Sequence, residues 1–122
     1  MKIIIAGAGK VGSAVARMLA GEGHDITVID RDPETIGHIS NELDVICVEG
    51  SATNSETLRD AGADSADLLV AATELDEVNM ICGISARKLG TQHVIARIRD
   101  PEYLVQTEFL REALGLSVIV NP

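Results

Sequence analysis

Three glycines and an acid carry the first chemical signal in this chain. Gly7, Gly9 and Gly12 stand in the run Gly7-Ala8-Gly9-Lys10-Val11-Gly12, and Asp30 follows 18 residues after Gly12. Gly7 lets the chain turn sharply off a strand. Gly9, with no Cβ, lets a diphosphate approach the backbone. Gly12 lets a new helix lie close against the strands. The start of that helix, at Lys10 and Val11, presents unpaired N–H groups and a partial positive charge to phosphate oxygens. A carboxylate at Asp30 sits where it can accept hydrogen bonds from the 2′- and 3′-hydroxyls of an adenosine ribose. It would repel a 2′-phosphate, which favours NAD or NADH over NADP. ATP, ADP and AMP carry the same hydroxyls, so Asp30 does not separate them from NAD. Arg31 offers a guanidinium to stack on adenine or meet a phosphate. Lys10 does not complete a phosphate-loop motif, because no Gly-Lys-Ser/Thr ending follows a longer loop.

The elements that must position these groups are legible around them. Lys2–Ala6 is a short apolar strand, and Val11, Ala14, Val15, Met18 and Leu19 repeat at helical spacing over 10–21, with Met18 as core filler. A second strand covers 25–29. Asp32-Pro33-Glu34 starts a helix with inner residues Ile36, Ile39 and Leu43. Strand three is 45–48, and a short helix from Asn54 to Ala61 turns Leu58 inward. Strand four is Leu68–Ala71. The helix from Asp76 to Leu89 presents Val78, Ile81, Cys82, Ser85 and Leu89 to the core. Strand five is 93–97. One helix runs from Pro101 to about Ala113 with Leu104 and Leu114 inward, and Ser117–Val120 is strand six before the chain ends at Asn121-Pro122. Six strands alternating with five helices and short links predict an α/β, Rossmann-like, doubly wound parallel sheet of order 3-2-1-4-5-6. A ligand would lie at the carboxyl ends of strands one and four, where the order reverses.

Three further loops meet that edge. After strand three, Gly50-Ser51-Ala52-Thr53 is placed to border the adenine, although one of Ser51, Thr53 and Asn54 must cap the next helix. After strand four, Ala72 and Thr73 lie under the ribose-phosphate region. There Glu74, Asp76 and Glu77 complement a helix dipole, hold a cation or meet a partner's basic group. After strand five, Arg97 could reach a phosphate or form a surface ion pair with Asp100 or Glu102. Asn79, one turn into its helix, is a further polar contact.

Composition bounds the class. The chain has 122 residues, 46% hydrophobic, enough for the core of one domain, and its aromatics are Tyr103 and Phe109. A net charge of −9 argues against nucleic acid as a partner. No secretory segment or bilayer-spanning run is seen, and the expectation is a soluble, cytoplasmic protein. Cys47 and Cys82 read as buried free thiols. His24, His38 and His93 have no ligand spacing, so no metal is assigned. A dehydrogenase would need a proton donor and a substrate pocket. Tyr103 lacks the lysine four positions on that marks short-chain reductases, and the chain is spent on the cofactor half. The cofactor-binding half of an NAD-dependent dehydrogenase stays as the alternative.

Taken together, Gly7 to Gly12, Val28-Ile29-Asp30-Arg31-Asp32, Gly50 to Thr53, Ala71-Ala72-Thr73 with Asp76-Glu77-Val78-Asn79, and Ile95-Ala96-Arg97-Ile98 before Asp100-Pro101-Glu102-Tyr103 resemble the N-terminal nucleotide-binding domain of the Trk/Ktr potassium-uptake regulators (KTN or RCK; TrkA-N). The acidic stretch with Asn79, a small-residue helix and Ala96-Arg97 is typical of this family and unusual in dehydrogenases. The resemblance implies that NAD, NADH, ATP or ADP binds at the cleft. Gly7, Gly9 and Gly12 would take the phosphates, Asp30 the ribose, and Arg31 and Ser51 the adenine side, with Thr73 and Arg97 nearer the phosphates. It also implies a homo-oligomer, a dimer and then a ring, on the cytoplasmic face of a membrane potassium transporter or channel. It implies that residues 1–122 are one regulatory domain of a longer protein continuing past Pro122. A sensor fused to another transporter, such as a proton antiporter, fits the same residues.

Overall fold

Alternation of side chains along each strand decides how the layers form. Ile3 and Ile5 point to one face of the sheet and Ile4 and Ala6 to the other, and all four are fully buried. A strand buried on both faces needs helices on both, and each isoleucine so buried contributes about 1.5–3 kcal/mol. The computed structural model describes residues 1–120, the last three by their backbone alone; the expected end at Asn121-Pro122 lies outside the described residues.

The elements are β1 (Lys2–Ala6), α1 (Lys10–Ala20), β2 (Asp25–Asp30), α2 (Pro33–Glu42), β3 (Ile46–Glu49), α3 (Ser55–Asp60), β4 (Leu68–Ala71), α4 (Asp76–Leu89), β5 (His93–Ile98), α5 (Pro101–Leu104), α6 (Thr107–Leu114) and β6 (Ser117–Val120). The strands form one sheet of order β3-β2-β1-β4-β5-β6, every pairing parallel. This is the expected doubly wound order. It reverses between β1 and β4, whose tips Ala6 and Ala71 are paired. One core lies under α1 and α2 and includes Ile5, Ala16, Val28, Ile39 and Val70. The other lies under α3 and α4 and includes Ile4, Ile29, Leu58, Cys82 and Ala86.

Four expectations are corrected. Met18 is not core filler but 58% exposed, and Ala14 is exposed too; α1 buries Gly12 and Ala16 instead. Ile81 is 49% exposed, because α4 turns Asp76, Asn79, Cys82, Gly83 and Ala86 inward. The single helix over 101–113 is two. Gln106 leaves the helical basin at φ −109°, ψ 20°, and its N–H bonds Tyr103 O at 2.9 Å in a tighter i,i+3 turn. The Thr107 hydroxyl, donating to Leu104 O at 2.6 Å, competes for a carbonyl that a continuous helix would use. Cys47 is half-buried on β3, whereas Cys82 is fully buried and its thiol is pushed up to about 12 by that burial.

Candidate functional site

The site grows from the tip of β1. Gly7 sits at φ +100°, a conformation that side-chain-bearing residues rarely adopt, and its N–H donates to Ile29 O at 2.8 Å. The chain therefore turns while still anchored to β2. Gly12, in the first turn of α1, lies so near the Gly7 turn that an added Cβ would be 1.7 Å from Gly7 O. Gly9 is the opposite case: a Cβ there would meet nothing within 4 Å, and Gly9 lines the cleft. No side chain caps the start of α1 and its first turn holds no acid, while the first turns of α2 to α6 each hold at least one. No acid within its own first turn offsets the positive end of this helix dipole at the cleft.

Asp30 closes β2 and serves two loops. Its Oδ2 accepts from Ala8 N at 2.7 Å and its Oδ1 from Asp32 N at 2.9 Å. Each oxygen keeps a second lone pair, so the carboxylate can still accept from hydroxyls while it pins the glycine turn to β2. After β3, Asn54 is the cap of α3, accepting from Glu56 N and Thr57 N at 2.8 and 3.1 Å. That leaves Ser51 and Thr53 available to the cleft, their hydroxyls 2.8 Å apart.

Between these parts lies a cavity of about 300 Å³. Gly7, Gly9, Asp30 and Arg31 form one side, and Gly50, Ser51, Ala52 and Thr53 a second. Ala72, Thr73 and Glu74 form a third, and Ile29, Leu75 and Val78 add an apolar wall. The arrangement suits a flat apolar ring, a polar sugar and an anionic group in sequence. Of the residues singled out from sequence, Lys10, Val11, Gly12 and Arg97 do not line the cavity. Lys10 is exposed and Gly12 acts through packing. Arg97 is not on the surface but 6% exposed, with Nη1 donating to Thr73 O at 3.2 Å. The apolar wall was missed. Val78 packs on the core as expected and lines the cavity as well, and Leu75 carries no periodic signal.

The acids after β4 also find definite roles. Asp76 accepts from Arg99 N and Asp100 N, and Glu74 lies 3.5 Å from the Arg99 guanidinium. Asn79 is fully buried and bonded to Thr73 and to Arg97 O.

Residues 3–122 match the TrkA-N domain family. The chain belongs to that family. A Trk system potassium uptake protein TrkA homolog from Archaeoglobus fulgidus is 42% identical over 122 residues, all of this chain and 28% of that protein. This TrkA-N chain thus spans about a quarter of the length of that curated relative. Among solved structures, the GsuK RCK domain is 29% identical with a TM-score of 0.78, covering 98% of this chain and 25% of that one. The C-terminal domain of Kef from Shewanella denitrificans, in an AMP-bound form, is 26% identical with a TM-score of 0.78, covering 99% of this chain and 72% of that one. No helix of the described residues is long and apolar enough to cross a membrane.

Proposed function

We infer that this TrkA-N domain binds an adenine nucleotide at the β1–β4 edge and regulates potassium transport through a membrane transporter or channel, making and breaking no bond itself. The observation that carries the reading is the single cavity onto which Gly9, Asp30, Arg31 and the Ser51–Thr53 loop all converge beside an uncapped, acid-free helix start. The AMP-bound Kef domain supports an adenosine-sized ligand, and the Trk relatives support potassium transport as the setting. NAD or NADH and ATP, ADP or AMP are the ligand class. The phosphates lie along Gly7, Gly9 and the start of α1, the ribose on Asp30, and the base between Arg31, Ser51 and the apolar wall. A ligand that fits one arrangement of the surrounding loops better than another shifts the population toward it. The longer protein works as a homo-oligomer on the cytoplasmic face of its membrane partner.

The dehydrogenase alternative is the weaker one, since the family shown is that of potassium-uptake proteins.

Titration calorimetry with NAD, NADH, ADP, AMP and NADP tests the reading. NAD and the adenosine phosphates bind, and NADP binds at least about tenfold more weakly, because its 2′-phosphate meets the Asp30 carboxylate at close range. Equal affinity for NAD and NADP would remove Asp30 from the ribose, and no heat with any of the five would remove the nucleotide.

A further inference from the structure

Asn79 has the bonding of a fixed joint. Its side chain is 0% exposed, one turn into α4, in a position where a core residue would ordinarily be apolar. Oδ1 accepts from Thr73 N at 2.8 Å and from Thr73 Oγ1 at 2.7 Å. Nδ2 donates to Thr73 O at 3.1 Å and to Arg97 O at 2.8 Å. A carboxamide has two acceptor and two donor positions, so this one is saturated. It encloses the Thr73 peptide at the tip of β4 and ties it to β5, one strand away. Thr73 is also where the glycine turn rests, since an ideal Cβ on Gly7 would lie 3.0 Å from both Thr73 N and Thr73 Cγ2.

A second tie leaves the same turn. Asp76 is 9% exposed, and its carboxylate accepts from Arg99 N at 3.1 Å on each oxygen and from Asp100 N at 2.7 Å. Arg99 Nη2 donates to Glu74 O at 2.8 Å, and Tyr103 OH donates to Glu77 Oε2 at 2.8 Å. Asp100 in turn caps α5. Residues 97–103 are therefore held against residues 73–79 at Arg97, Arg99, Asp100 and Tyr103, and Thr73 and Glu74 face the cavity at the other end.

We propose that the 73–79 turn couples the nucleotide cleft to the start of α5, with Asn79 the positioning residue on the cleft side and Asp76 the positioning residue on the α5 side. The coupling rests on nucleotide binding at the cleft. A ligand seated against Gly7 and Thr73 restrains the Thr73 peptide. The saturated Asn79 carboxamide passes that restraint to β5, and the Asp76 carboxylate passes it to the two amides that open α5. Polar ties inside a packed layer hold discrete geometries, so the restraint travels as a shift of the whole turn. Asn79→Asp replaces both donors by a charged oxygen facing the Thr73 and Arg97 carbonyls and breaks the cleft side. Asp76→Ala removes both acceptor oxygens from the Arg99 and Asp100 N–H groups, and breaks the α5 side without touching Thr73.

Hydrogen exchange followed by mass spectrometry, with and without saturating ADP and alongside ADP calorimetry, tests this. In the unaltered protein, ADP slows exchange over 7–13 and also over 97–104, the latter by about tenfold or more. Asp76→Ala binds ADP within about threefold of the unaltered protein, keeps the protection over 7–13 and loses it over 97–104. Asn79→Asp weakens ADP by about tenfold or more, and Thr73→Val, which keeps the backbone bonds and removes the hydroxyl one, weakens it in the same direction if Asn79→Asp does not fold. A residue with a purely structural role would lower the melting temperature and leave the ADP-dependent difference over 97–104 in place. That difference surviving in Asp76→Ala, or ADP protecting 7–13 alone in the unaltered protein, overturns the coupling. ADP failing to bind the unaltered protein overturns the nucleotide site itself, a separate and recognisable outcome.

Discussion

Gly12→Ala is expected to cost the domain more stability than any other single methyl added to the glycine turn. The new Cβ would stand 1.7 Å from Gly7 O and 2.8 Å from Gly7 C, and both are backbone atoms that cannot swing away. Relief requires α1 to lift from the β1 tip. That would open the core where Ala16, Val28 and Ile39 meet. Overpacking against side chains costs roughly 1–3 kcal/mol, and a clash with backbone at this distance exceeds it, so a loss of at least about 3 kcal/mol is expected. In a domain of this size that lowers the melting temperature by roughly 10 °C or more. Urea denaturation followed by circular dichroism measures it. A loss below about 1 kcal/mol would show that α1 does not rest on the Gly7 peptide.

Asp30→Ala is expected to produce the largest loss of ligand affinity among folded variants. The carboxylate has two duties. It satisfies Ala8 N, in a residue only 6% exposed, and Asp32 N, and it is the acceptor facing the cavity where ribose hydroxyls would lie. Removing it leaves a poorly hydrated amide without its acceptor, at about 1–3 kcal/mol, and removes charge-assisted bonds to the sugar of about 1.5–3 kcal/mol. The affinity for NAD and for ADP should fall roughly 10- to 100-fold, and the preference for NAD over NADP should shrink with it. Calorimetry on the folded variant, with its melting temperature measured in parallel, separates the two duties. Unchanged NAD and ADP affinity would leave Asp30 a structural latch and nothing more.

How far the sequence foretold the molecule can be read from particular residues. The sheet order followed from the strand–helix alternation and from fully apolar runs such as Ile3-Ile4-Ile5, which leave no ambiguity about burial on both faces. The cap at Asp32 followed from local chemistry, which for α3 narrowed the cap to Ser51, Thr53 or Asn54, of which Asn54 is the one; a cap of this kind is worth about 1 kcal/mol. Val11, Val15 and Leu19 of α1 and Val78, Cys82 and Leu89 of α4 pack on the core as expected, whereas Met18, Ala14 and Ile81 do not. In α1 the contact of Gly12 with the Gly7 peptide, a tertiary feature, sets the angle and turns Met18 to solvent. In α4 an apolar stripe was sought, yet the inner face carries Asp76 and Asn79, which are buried because the backbone around Thr73 and Arg99 supplies their partners. Polar residues that are inside for such reasons leave no periodic trace.

At the site, the residues near Gly7, Asp30 and Ser51 were legible because each lies at a strand tip of the switch point. Arg97 is also near a tip, but its side chain turns inward to the Thr73 carbonyl. No spacing rule encodes that choice. The Leu75–Val78 wall was hidden for a related reason. It is built from the start of a helix, where the same side chain can face either core or cleft.

The most direct test is an ADP titration of Gly9→Ala beside the unaltered protein. Gly9 has an ordinary backbone conformation at φ −74°, and a Cβ there meets no protein atom within 4 Å. The methyl group therefore leaves the fold alone and occupies only the approach of a diphosphate to the helix start. Calorimetry should show ADP bound by the unaltered protein and weakened about tenfold or more in the variant, with melting temperatures agreeing within about 2 °C. Equal affinity in the two proteins would contradict a phosphate site at this turn.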